Sequence, residues 1–192
     1  MKELEISKVI NHLRDCDMGI LPSTVKFGIH DSKEQLTSVM KYLEPKLQWL
    51  PEYDKVSEWL ANNQGRGLLC MGNLGRGKTL IAAKSLPILF NHFLHLIVRV
   101  VDAQELNSRI DVIKQSHILC IDDIGTEGEY IHYGERRVPF AELVDLAEKK
   151  GKLLLLTTNL TIDELKAKYG ERTIDRLRGI TKVVLFQGES LR

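Results

Sequence analysis

Apolar residues recur at every third or fourth position through the first sixty or so residues, then gather into short unbroken runs. Ile6, Val9, Ile10 and Leu13 fall on one helical face, which predicts an amphipathic helix over residues 3 to 15. Residues 17 to 28 carry Gly19 and Pro22 and read as a connector. Asp31 followed by Glu34 marks a helix start. Leu36, Val39, Met40 and Leu43 then make one apolar face, and Pro45 stops the helix. Asp54 is expected to cap a third helix carrying Val56, Trp59 and Leu60, ended by residues 62 to 65.

From residue 66 the pattern changes. Five apolar runs, at 66–71, 96–101, 118–121, 153–156 and 183–186, have the length and composition of buried strands. Helical patterns separate them. One covers 78–90, with Pro87 expected to kink or shorten it. The next is capped by Asp102 with Glu105 and runs through Ile110. Another starts at Pro139, with Phe140, Leu143, Val144 and Ala147 on one face. Thr161 and Glu164 form a capping box for a short helix ending near Gly170, and a further helix covers 171–178. Strands alternating with helices predict an α/β fold: a five-stranded parallel sheet with helices on both faces in three α/β/α layers. No internal repeat or low-complexity tract interrupts it.

Composition narrows the function classes. At 192 residues, with 43% apolar and 28% charged residues, the chain has room for one sizeable core. A net charge of +1 supplies no global field for DNA or acidic membranes, so any nucleic-acid contact must come from a local patch. No apolar run approaches membrane-spanning length, and Met1-Lys2-Glu3-Leu4-Glu5 is too polar for a secretion signal. Cys16, Cys70 and Cys120 are far apart and form no CxxC pair, so they read as small buried hydrophobes of a cytoplasmic protein.

The chemistry is concentrated after the first strand. Residues 72 to 79 read Gly72-Asn73-Leu74-Gly75-Arg76-Gly77-Lys78-Thr79, with Leu80 opening a helix. Glycines let successive backbone N–H groups turn inward and cradle an anion at a helix N-terminus. Lys78 can reach terminal phosphates, and the Thr79 hydroxyl can bind Mg²⁺. The third strand ends in Asp122-Asp123. The first acid is placed to hold Mg²⁺, and the second to polarise an attacking water. The fourth strand ends in Thr157-Thr158-Asn159. Asn159 can hydrogen-bond a γ-phosphate or the water, or serve as a turn residue before the Thr161 cap. Arg172 and Arg176 lie four apart on one helix face. They suit a neighbour's nucleotide, or pair locally with Glu171 and Asp175. Tyr130, His132, Tyr133, Arg136 and Arg137 follow the acidic pair in a loop that either contacts a nucleic-acid strand or is simply exposed and polar.

With these motifs in this order, the chain resembles the DnaC/IstB-type branch of AAA+ ATPases. The likeness rests on residues 72–79, Cys-Ile-Asp-Asp-Ile-Gly at 120–125 and Leu-Thr-Thr-Asn-Leu at 156–160. Tyr-Gly-Glu-Arg-Thr-Ile-Asp-Arg-Leu at 169–177 and Gly-Glu-Ser-Leu-Arg at 188–192 complete it. It spans residues 45–192, leaving 1–44 as a helical extension that could bind a partner. The resemblance implies ATP and Mg²⁺ as cofactors and slow ATP hydrolysis at the interface of an ATP-dependent homo-oligomer. It makes Arg176 the arginine finger, supported by Arg172, and places Arg192 near the nucleotide. It also implies a role in DNA replication with a replicative helicase or single-stranded DNA. The alternatives are a transposition ATPase with a transposase-like partner, or an assembly switch with negligible hydrolysis. The chain departs from the branch in having a short N-terminal region and no full helical lid after the fifth strand.

Overall fold

The computed structural model describes residues 6–16, 24–128, 130–132 and 135–191. Among the described residues seven strands form: β1 (Gly67–Gly72), β2 (Arg99–Asp102), β3 (Ile118–Asp122), β4 (Tyr130–His132), β5 (Glu135–Arg137), β6 (Leu153–Thr158) and β7 (Thr181–Phe186). Five of them make one parallel sheet in the order β2-β3-β6-β1-β7. The unbroken apolar runs follow from burial on both faces. In β6, Leu153 and Leu155 enter one core cluster while Leu154 and Leu156 enter the other. Successive side chains of a strand point to opposite faces, so both must be apolar.

On one face lie α2 (Ser32–Leu43), α3 (Pro51–Ala61) and the helix after the phosphate loop. Leu36 and Met40 of α2 are fully buried in the same cluster as Leu68 and Cys70, so α2 shares a core with the sheet. On the other face lie α5 (Leu106–Ile113), α6 (Pro139–Lys150), α7 (Ile162–Tyr169) and α8 (Glu171–Ile180). The remaining helix, α1 (Ile6–Asp15), leaves Ile6 and Val9 exposed.

Several expectations are corrected. α3 starts at Pro51 rather than at an Asp54 cap, because proline fits the first helical turn, where its missing N–H has no partner to lose. Asp54 lies inside that turn and accepts from Trp49 Nε1 at 3.1 Å. Asp31 precedes α2 in a left-handed conformation and makes no side-chain cap. Pro87 does not shorten its helix, which runs to Leu94, beyond the expected end at residue 90. A π-helical stretch, Leu80–Ser85, precedes α4 (Leu86–Leu94), and Ser85 Oγ donates to Leu80 O at 2.8 Å. Widening the turn just before a residue that cannot donate lets the helix continue. β2 begins at Arg99, while Leu96 and Val98 pack on the core without ladder pairing. The Thr161–Glu164 capping box forms as expected.

The loop expected after Asp123 contains an antiparallel hairpin, β4–β5. The side chains of Tyr130, His132 and Arg136, and all of Tyr133, lie outside the described residues, as do most of the 17–28 connector and Arg192. Arg137 is clamped to α6, its Nε and Nη2 donating to Glu142 at 2.8 and 2.6 Å. Cys70 and Cys120 are buried, and burial pushes the Cys70 thiol up to about 12. They sit on β1 and β3 with β6 between them. Cys16 is exposed just past the end of α1, contrary to its expected burial.

Candidate functional site

Parallel strands expose their C-terminal ends along one edge, and β3, β6 and β1 are adjacent there. That adjacency brings together residues separated by up to 87 positions, from Gly72 to Asn159. At this edge lies an open cleft of about 670 Å³, whose lining includes Tyr53, Leu74, Lys78, Asp102, Asp122 and Asn159.

The phosphate loop leaves β1 at Gly72 and turns at Gly75 and Gly77, whose φ values are +73° and +83°. A Cβ on Gly77 would sit 2.5 Å from the Tyr53 hydroxyl, so conformation and space both demand glycine there. Lys78 Nζ donates to Gly72 O and Asn73 O, both at 2.7 Å, and to Asn159 Oδ1 at 2.8 Å. Thr79 Oγ1 donates to Asp122 Oδ1 at 3.0 Å. A second hydroxyl, Thr157 Oγ1, donates to the same oxygen at 2.6 Å and accepts from the Asp123 N–H at 2.7 Å. Asp123 holds a left-handed φ of 61°, and Asn159 Nδ2 donates to its carboxylate at 2.7 Å. The Asn159 amide thus bridges the Lys78 ammonium and the Asp123 carboxylate.

Desolvation and the neighbouring Asp122 carboxylate raise the Asp123 pKa, while Lys78 opposes the shift. Two adjacent carboxylates beside a threonine hydroxyl form a hard-oxygen donor set that suits Mg²⁺. The cation would relieve the repulsion between them. Asp102, opposite Asp122 in the β2–β3 register, adds a third acid to the cleft wall.

Support for the loop comes from Glu52 and Tyr53 of α3, which sequence reading passed over, and from residues 188–191. The Arg76 side chain turns to α3, its Nε and Nη2 donating to the buried Glu52 Oε1 at 2.9 and 2.6 Å. Tyr53 OH donates to Arg76 O at 3.0 Å. Asn73 Nδ2 donates to Gly188 O at 2.9 Å, and the Leu191 N–H donates to Gly75 O at 3.2 Å, so residues 188–191 lie along the loop. Thr157 carried one legible signal, a polar residue ending an apolar strand; Glu52 carried none. Removing one partner of a buried ion pair strands the other, at ~3–5 kcal/mol. Glu52→Ala is therefore expected to lower the thermal midpoint well below that of the parent chain. An unchanged melt would show that Arg76 has found water.

Arg172 and Arg176 lie on α8, away from this cleft's described lining. Ile174 between them and Leu177 just after them are fully buried. Arg176 pairs with Asp145 and, through Nε at 3.2 Å, with Glu148, both on α6. These partners replace the expected local ones, Glu171 and Asp175. Arg172 is exposed.

The sequence matches no protein-family model, and no curated protein is significantly similar to it. Solved structures do match. The DnaC helicase loader superposes with a TM-score of 0.54 over 84% of this chain and 93% of that one, at 16% identity. DnaI superposes with a TM-score of 0.54 over 84% and 85%, at 18% identity. A candidate primosome component from Streptococcus pyogenes serotype M3 gives 0.53 over 85% and 84%, at 16% identity. The chain shares its fold with these structures, here built on a parallel sheet in the order β2-β3-β6-β1-β7. At such identities the likeness is one of fold, and function must be argued from the site.

Proposed function

We propose that this chain is an ATPase of the helicase-loader kind, acting in DNA replication with a replicative helicase or single-stranded DNA. The observation that carries the proposal is the single network joining Lys78, Thr79, Asp122, Asp123 and Asn159. The similarity in fold to a helicase loader supports the cellular role. Residues 72–80 would wrap the phosphates of ATP, with Lys78 exchanging its loop carbonyls for phosphate oxygens. Mg²⁺, held by Thr79 and Asp122, would neutralise charge on the β- and γ-phosphates. Asp123 would hold the attacking water in line, and Asn159 would sense the γ-phosphate from between Lys78 and Asp123. Arg192 would lie near the nucleotide, since Leu191 already sits on the loop.

Residues 45–192 would form the ATP-binding unit. Within residues 1–44, α2 is committed to the core, so α1 with its exposed Ile6 and Val9 would face a partner. A second reading, a nucleotide-dependent assembly switch with negligible hydrolysis, is favoured by Asp123 itself. Its side chain is one methylene shorter than a glutamate and is already engaged by Asn159.

Asp123→Asn separates the readings. It keeps the shape and loses the charge that orients water. The variant is expected to bind Mg·ATP nearly as the parent does and to hydrolyse it far more slowly, by phosphate release with and without single-stranded DNA. Equal turnover in both chains would assign the catalytic role elsewhere. Undetectable turnover in the parent, with or without DNA, would leave the switch. The same variant, held with ATP, is the bait for capturing a helicase or a transposase.

A further inference from the structure

Glu127 is 6% exposed, carries a carboxylate and takes no part in the site just described. Its Oε2 accepts from the Gly125 N–H at 2.9 Å, and its Oε1 accepts from the Tyr169 hydroxyl. Lys168 Nζ adds two bonds to the same segment, to Gly125 O at 2.6 Å and to Glu127 O at 2.7 Å. Three hydrogen bonds thus tie residues 125–127 to the last two residues of α7, and the Gly125–Glu127 bond holds the segment itself together.

The two ends of this tie matter. Gly125 lies two residues after Asp123, in a turn where Thr126 Oγ1 donates to Asp123 O at 2.9 Å and Thr158 Oγ1 donates to Ile124 O at 2.7 Å. Tyr169 lies immediately before Gly170, whose φ of +86° swings the chain into α8 and its arginines. The Tyr169 ring also packs on Phe140 of α6, with ring centroids 4.5 Å apart. That helix carries the Asp145 and Glu148 partners of Arg176. A buried carboxylate with both oxygens engaged is a stiff link, because moving either end leaves a buried charge under-bonded.

We infer that Glu127, with Tyr169 and Lys168, is a positioning element that couples the Asp123 turn of one subunit to the arginine pair this subunit presents to its neighbour. The inference rests on the proposed shared-site ATPase and deepens it. A subunit's own site would set how well it serves the next one.

Mixed subunits test this. Arg176→Ala chains keep a pocket and lack a finger; Lys78→Ala chains keep the finger and lack a pocket, so mixing them is expected to restore turnover. Tyr169→Phe removes one oxygen, keeps the packing on Phe140 and leaves the Gly125–Glu127 bond. Placed in the Lys78→Ala chain, which donates the arginines, it is expected to cut the restored turnover about tenfold or more, as misplacement of a catalytic group does. Placed in the Arg176→Ala chain, it should cut the restored turnover less, because the Gly125–Glu127 bond and the Thr126 and Thr158 hydroxyls still hold the Asp123 turn. Lys168→Met, an exposed change, should show the same asymmetry. A parent mix that stays inactive despite co-assembly overturns the shared site and the coupling together. A parent mix that is active, but indifferent to both substitutions in the donating chain or equally impaired by them in either chain, overturns the coupling alone.

Discussion

Lys78→Ala is expected to weaken Mg·ATP binding by about 10- to 100-fold, the loss of a charge-assisted contact of roughly 1.5–3 kcal/mol. The gross contribution of Lys78 is larger than the net. In this structure its ammonium already satisfies Gly72 O, Asn73 O and Asn159 Oδ1. Phosphate oxygens must therefore displace neutral acceptors rather than bulk water. The gain comes from exchanging neutral acceptors for anionic ones, which adds charge–charge attraction to the ammonium. The fold should survive the substitution. Lys78 and Asn159 line an open cleft, from which water can enter to replace the amine. Calorimetric titration with Mg·ATP beside a thermal melt checks both halves. Parental affinity in a folded Lys78→Ala chain would remove the phosphate-loop assignment.

What could be read in advance follows from how local each determinant is. The strands were legible because a sheet covered on both faces needs unbroken apolar runs, as at Leu153–Leu156. The phosphate loop was legible because its glycines, lysine and threonine are consecutive. The acidic pair was legible because it directly follows such a run, and Asn159 because it closes the polar Thr157-Thr158-Asn159 end of another; parallel order then places them side by side.

Other features depend on distant partners and leave no local trace. Glu52 reads as an ordinary helix-surface acid until Arg76, twenty-four residues on, is found against it. Glu127 likewise needs Tyr169, forty-two residues away. The β4–β5 hairpin escaped notice because three-residue strands are too short to show alternation. The start of α3 was misplaced because an Asp inside the first turn looks, in sequence, like an Asp before it. Pro87 misled for a different reason. The usual rule assumes α-helical geometry, and this helix has widened to a π turn just upstream.

Arg176→Ala is expected to lower turnover by ~10³-fold or more while leaving the ATP affinity of the isolated subunit intact, the pattern of a finger supplied in trans. The structure adds a step to that expectation. Arg176 is paired with Asp145 and Glu148, so it must leave two carboxylates to reach a neighbour's phosphate. Those partners are about a third or more exposed, and such pairs are worth only ~0–1 kcal/mol, so a γ-phosphate can outcompete them. Asp145→Asn and Glu148→Gln should then release Arg176 and leave turnover equal or higher, whereas a purely structural arginine would lose its anchor and destabilise α8. Arg172, exposed one turn earlier, can approach the same phosphate from the same face. Arg172→Ala should therefore cost less than Arg176→Ala, and the double substitution little more than Arg176→Ala alone. The measurement is ATP turnover against protein concentration, with assembly followed by light scattering. Parental turnover in Arg176→Ala, or an equal loss at concentrations where every chain is monomeric, would remove the shared site and leave a nucleotide switch that works within one subunit.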